Sequence, residues 1–107
     1  MASLLRILVD ASDAGVVLHL AGEMDLSTRG EVEAALGTVG AGGTGPLHVD
    51  LAGLEFCDAS GLAELVAVRN AAVRRNRAMA THGMRPQVQR LLELTRTAHF
   101  LGAVLPG

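Results

Sequence analysis

A chain of 107 residues with 50% hydrophobic side chains has the length of one domain, and enough apolar matter for a single core without disulfides. Its one cysteine, Cys57, excludes an internal disulfide, and with only Phe56 and Phe100 aromatic the interior must be built from Val, Leu and Ala. The formal charge is −2, no apolar run approaches the roughly 20 residues of a membrane span, and Met1-Ala2-Ser3 lacks the basic start of a signal peptide; a soluble, cytoplasmic domain without membrane insertion is expected.

In chain order, Leu4 to Val9 reads as a strand interrupted by Arg6, Asp10 to Gly15 as a turn, and Val16 to Ala21 as a second strand. So short a connection favours an antiparallel hairpin. Gly22-Glu23-Met24-Asp25-Leu26-Ser27-Thr28 follows, and Thr28 with Glu31 three residues on has the form of a capping box, so a helix is expected to start there. Val32, Ala35, Leu36 and Val39 give it an apolar stripe. Gly40, Gly42, Gly43 and Gly45 should end it in a flexible connector over about 37–46. A phosphate-binding loop is rejected there, because no Gly-Lys-Ser/Thr follows.

Leu47, Val49 and Leu51 alternate with His48 and Asp50, as in a half-buried strand. Ala52-Gly53 breaks the run, and Leu54 to Phe56 resumes it. From Leu62 the period changes, with Leu62, Leu65, Val66 and Val73 on one helical face. Asp58-Ala59-Ser60-Gly61 is therefore a strand-to-helix turn, with Asp58 or Ser60 able to cap a helix over about Ser60 to Asn76. Ala78 to Thr81 is weakly strand-like, and Pro86 suits the first turn of a last helix whose inner stripe is Val88, Leu91, Leu92 and Thr95. The tail, about 97–107, should pack through Phe100 and Leu101.

Charge is unevenly placed. Residues 1–58 hold nine acids against Arg6 and Arg29, whereas residues 59–107 hold seven arginines against Glu64 and Glu93. With almost no aromatic residues to stack on bases, nucleic acid is not the expected partner. Arg69, Arg74, Arg75 and Arg77 fit the solvated end of a helix, where cations complement the dipole. His19, His48, His82 and His99 show no metal-ligand spacing and read as surface or capping residues, and Cys57 reads as a buried thiol. No metal or cofactor is expected.

Strands alternating with helices imply an α/β fold with a mixed β-sheet: an N-terminal antiparallel hairpin, then β-α crossovers. Each crossover places its strand-to-helix turn at the carboxyl edge of the sheet. Asp25-Leu26-Ser27-Thr28 and Asp58-Ala59-Ser60-Gly61 should therefore converge on a small acidic, hydroxyl-bearing patch. No histidine or lysine lies beside Ser60 in sequence to act as a base, so an enzyme is not expected.

These two turns carry a family resemblance. Gly22-Glu23-Met24-Asp25-Leu26-Ser27-Thr28 resembles the "GELDLST" segment of STAS domains, and the run from Val49 to Leu62, centred on Phe56-Cys57-Asp58-Ala59-Ser60-Gly61, resembles their "DLSGLxFxDSSGL" signature. Pro86 to Thr95 is similar to their final helix. The resemblance implies one domain over 1–107 with helices packed mainly on one side of the sheet. It further implies an anti-sigma factor antagonist that binds an anti-sigma factor, a serine kinase of the histidine-kinase-like ATPase fold, so that the sigma factor is released. Partner-binding positions carried over are Asp25, Ser27, Thr28, Asp58, Ala59, Ser60 and Gly61. The family's usual phosphoacceptor position is Ala59 here, which leaves Ser60 as the acceptor or the turn without a switch. An accessory STAS subunit of a membrane transport or lipid-trafficking ATPase complex is the alternative.

Overall fold

The computed structural model describes residues 4–12, 14–41 and 45–102, and for 38–41 the backbone alone. Strand β1 (Leu5–Ser12) pairs antiparallel with β2 (Gly15–Met24), from Leu5 opposite Gly22 to Ser12 opposite Gly15. Both strands outrun their apolar centres. Asp10, Ala11 and Ser12 stay in the ladder, so the turn expected over Asp10 to Gly15 shrinks to the link between Ser12 and Gly15. The Ser12 hydroxyl accepts the Ala14 N–H at 3.2 Å, and Gly15 takes φ +132°, beyond the reach of most side chains.

Strand β3 (Leu47–Cys57) runs parallel to β2, and β4 (Met79–His82) runs parallel to β3, giving a mixed sheet in the order β1-β2-β3-β4. Ala52-Gly53 does not break β3. The pairing slips between His19 and Ala21 and again between Gly22 and Glu23, each time with one extra residue on β3. Gly53 fills the first bulge, where a Cβ would stand 2.8 Å from that of Ala21.

The crossovers are α1 (Arg29–Ala41) and α2 (Ala59–Arg74), and α3 (Pro86–Thr95) follows β4. Val32 of α1, Leu65 and Val68 of α2, and Val88 and Leu92 of α3 share one buried cluster with Leu18, Leu20, Val49 and Leu51. The strand residues between them, His19, His48 and Asp50, point the other way and are half-exposed. All three helices thus cover one face of the sheet.

Several boundaries differ from expectation. A single 3₁₀ turn, Leu26–Thr28, precedes α1, so the helical region opens at Asp25 rather than at Thr28. Helix α1 continues across Gly37 and Gly40 to Ala41, into the segment expected to be connector; burial of Val32, Ala35 and Leu36 against the core outweighs a glycine cost of about 1 kcal/mol each. The rest of that connector at 42–44, the Val39 side chain and the tail at 103–107 lie outside the described residues. Helix α2 stops at Arg74, and Asn76 turns left-handed at φ 55°. Val73 is 52% exposed; it lies about 80° round the helix from Leu65, and Ala71 and Ala72 take the inner positions instead. Thr95 faces solvent rather than the core, its hydroxyl donating to the Leu91 carbonyl at 2.7 Å.

The basic stretch also divides. Arg74 and Arg75 are solvated as expected, but Arg77 is buried, and the Arg69 guanidinium lies 4.1 Å over the Phe100 ring. Beyond α3 the chain folds back, Leu101 is fully buried, and β4 gains a further neighbour. Thr81 donates its N–H to the Gly102 carbonyl at 3.1 Å and its hydroxyl to that of Leu101 at 2.7 Å. No described helix is long and apolar enough to cross a membrane.

Candidate functional site

Strands β2 and β3 end in register, with Met24 opposite Cys57, so the residues that follow each leave the sheet side by side. The chain must turn sharply at both places, and an aspartate leads each turn. Asp25 accepts the Ser27 N–H at 2.9 Å through Oδ1, while the Thr28 hydroxyl accepts the Asp25 N–H at 3.2 Å. This is a capping box on Asp25 and Thr28, three residues before the one expected on Thr28 and Glu31. Asp58 plays the same part for α2, its Oδ1 accepting the Gly61 N–H at 2.9 Å. The cap is therefore Asp58, and Ser60 sits inside the first turn.

Gly61 lets the two turns meet. A Cβ there would collide with the Met24 carbonyl oxygen and stand 2.8 Å from Cys57 Sγ. Gln87 of α3 braces the same corner from behind, its amide accepting the Cys57 N–H at 3.2 Å and donating to the Cys57 carbonyl at 3.1 Å. The Cys57 thiol is pushed up to about 12, first by burial and then by the charges of Asp58 and Glu64, so it stays protonated and unreactive at neutral pH.

The expected convergence holds, but its members differ in reach. Thr28 and Gly61 are buried and act by fixing the turns; Ser27 and Ala59 are exposed, and Asp25, Asp58 and Ser60 are half-exposed. Glu64, one of the two acids in residues 59–107, joins them. It is only 5% exposed, and both its carboxylate oxygens lie within 3.1–3.2 Å of the Thr28 hydroxyl, which also reaches the Asp25 carbonyl at 2.9 Å. One hydroxyl proton cannot serve both acceptors at once. The signal was present in sequence, since Glu64 falls i+4 from Ser60 and between Leu62 and Leu65 on the inner side of α2.

Between α1 and α2, and open beside Ser60, lies a groove of about 180 Å³ lined mainly by Leu26, Val32, Leu36, Ala63 and Ala67, with Glu64 in its wall. Arg29 and Glu33 on its rim are paired at 3.6 Å, both well exposed. The acidic turns at the groove mouth match the negative half of the chain.

Burial raises the pKa of Glu64 above the ordinary value of 4.5; the Thr28 hydroxyl opposes this, and the Asp25 and Asp58 carboxylates add to it. The folded state then holds a proton that the unfolded chain has released, so this group's contribution to stability falls as pH rises through its titration. Glu64→Gln keeps the shape and a partner for Thr28 while removing the charge. Urea midpoints followed by far-UV circular dichroism should show the variant more stable than wild type at pH 7, with the gap closing as pH approaches 4.5. An unchanged gap would contradict the assignment.

The comparisons agree with this architecture. The family model described as "Mlab, STAS domain" matches residues 7–105. An anti-sigma factor antagonist from Mycobacterium paratuberculosis superposes with a TM-score of 0.77 at 24% identity, over 95% of this chain and 86% of that one. SpoIIAA, an anti-sigma factor antagonist, in its unphosphorylated form gives 0.75 at 16% identity, over 94% and 89%. RsbS of Moorella thermoacetica gives 0.74 at 18%, over 95% and 88%. No curated protein matches the chain. With the family model spanning nearly its whole length and the two turns meeting at one sheet edge, the chain belongs to the STAS domain family.

Proposed function

We propose that this domain is a regulatory binding module, an anti-sigma factor antagonist that works in the cytoplasm by occupying an anti-sigma factor of the serine-kinase type, so that a sigma factor is released. The observation that carries this reading is the juxtaposition of the Asp25 and Asp58 turns beside an open apolar groove. Its support from elsewhere is the fold shared with the M. paratuberculosis antagonist and SpoIIAA. The binding surface comprises Asp25, Ser27, Asp58, Ala59 and Ser60, with Thr28 and Gly61 holding it in shape. Its job is recognition rather than catalysis: the Asp25 and Asp58 carboxylates cap helices, the Thr28 hydroxyl closes the capping box, and the nearby thiol is held protonated.

An ordinary footprint of roughly 1,200–2,000 Å² would be centred on these turns and meet a basic partner surface. Asp25→Lys reverses a central charge and is expected to weaken the complex about 10–100-fold, mainly through faster dissociation, read by titration calorimetry. Asp25→Asn keeps the cap and separates charge from fold, and should lose less. The decisive test is capture of partners from native lysate on wild type and Asp25→Lys. Recovery of an ATPase-fold serine kinase by wild type alone supports the reading. Recovery of a transport ATPase subunit instead would replace it with the accessory-subunit alternative.

A further inference from the structure

The helix-free face of the sheet carries a second group of functional side chains, far from the two turns in kind. Three of the four histidines converge there although they stand well apart in sequence. His19 and Asp50 are register partners on β2 and β3, and Asp50 is the register partner of His82 on β4. Asp50 Oδ2 lies 2.7 Å from His19 Nδ1, while its Oδ1 accepts the Ala52 N–H at 2.9 Å. His48, two residues before Asp50, stacks on His82 with ring centroids 5.2 Å apart and planes inclined by 24°. Their facing nitrogens, His48 Nδ1 and His82 Nε2, are 3.0 Å apart at the surface.

We propose that His48 Nδ1 and His82 Nε2, held 3.0 Å apart on adjacent strands of the open sheet face, chelate a divalent copper-class ion. The spacing puts both nitrogens within reach of one ion. At a metal–nitrogen distance of about 2.0–2.1 Å, two ligands at a right angle stand about 2.9 Å apart, and two at a tetrahedral angle about 3.4 Å. The observed gap is that of a hydrogen bond between the two rings and lies close to these values, and Cu(II) binds nitrogen ligands more tightly than the other first-row divalent ions. Each ring sits on a fixed strand, and rotation about broad χ2 wells must turn both lone pairs off the line that now joins them and onto one ion, in place of the proton they share.

Asp50 adds a carboxylate alongside, engaged by His19 and by Ala52, so it draws a cation by charge without being a ligand itself. No group of three or more potential ligands suited to a metal occurs among the described residues, so water would complete the coordination, as in an exposed and exchangeable site.

The test uses the full chain without an affinity tag, titrated with CuCl₂ by calorimetry and followed by paramagnetic broadening of its amide signals. Wild type should bind one equivalent, with broadening first at residues around 48 and 82. His48→Ala and His82→Ala should each weaken binding at least about tenfold by leaving a single ligand, whereas His99→Ala should leave it unchanged. His48→Gln and His82→Gln, which keep bulk and hydrogen bonding on the strand, should reproduce the loss if either alanine variant proves unstable. Binding that survives either substitution, or that His99→Ala reduces equally, would overturn the chelate.

Discussion

Gly61→Val is expected to be among the most damaging single changes in this domain. The first carbon added would meet the Met24 carbonyl oxygen and Cys57 Sγ, and neither is a loose side-chain end: one is backbone at the end of a central strand, the other a buried atom of the neighbouring strand. Overpacking of this kind costs about 1–3 kcal/mol for a methyl, and the branched side chain adds more. Relief would require β2 and the start of α2 to move apart, which would separate the Asp25 and Asp58 turns and stretch the Thr28–Glu64 contact. Gly61→Ala should therefore lower the urea midpoint, and Gly61→Val should lower it further and abolish partner capture. Gly30→Ala is the control: nothing beyond its chain neighbours and its own helix backbone lies within 4 Å of the added carbon, and the change should be neutral or slightly stabilising. Equal effects at positions 30 and 61 would show that contact at the edge is not what demands glycine.

The second large effect is all-or-none and rests on the proposed function. Incubated with the partner kinase and ATP, wild type should take up no phosphate, whereas Ala59→Ser should take up one per chain by intact mass. Ala59 is exposed at the first position of α2, so a hydroxyl there would face outward. Ser60 turns toward the groove, with Asp58 two residues before it and Glu64 one helical turn ahead. A phosphate on Ser60 would bring about −1.5 to −2 charges against that carboxylate, in a place with little room for it. Under the proposed function, the domain is then expected to behave as a permanently binding-competent form. Stoichiometric phosphate on wild type that disappears in Ser60→Ala would overturn this and make Ser60 the acceptor.

The sequence revealed most where periodicity and turn chemistry agreed. Val16 to Ala21, Leu47 to Leu51 and the stripe beginning at Leu62 place the hairpin, the central strand and α2 without ambiguity, and two aspartate-led turns after two strands imply a shared edge. What was hidden depended on tertiary context. Thr28–Glu31 satisfies the capping pattern, yet Asp25 wins because its carboxylate and the Thr28 hydroxyl close the box one 3₁₀ turn earlier. Gly37 and Gly40 look like a helix end until the packed side chains N-terminal to them are known. Ala52-Gly53 looks like a break because a bulge and a loop share the same composition. The role of Glu64 is hidden in sequence because an acid is ordinarily solvated, and nothing local reveals that the space beside it is taken by Thr28. The histidines are 29 and 34 residues apart along the chain, and only the parallel register of β2, β3 and β4 makes them neighbours.

The docking of Leu101 and Gly102 against Thr81 bears on how the domain is made. A ribosome delivers this chain from the hairpin onward, and β2 and β3 can pair while the rest is still being synthesised. The outer edge of β4, however, receives its partner from Leu101 and Gly102, and the Leu101 side chain is fully buried in the core. Until residue 102 has cleared the exit tunnel, the nascent domain has an unsealed strand edge and a gap in its interior. Final locking therefore waits for residues 101 and 102, and the interval before they arrive is when chaperones have most to protect.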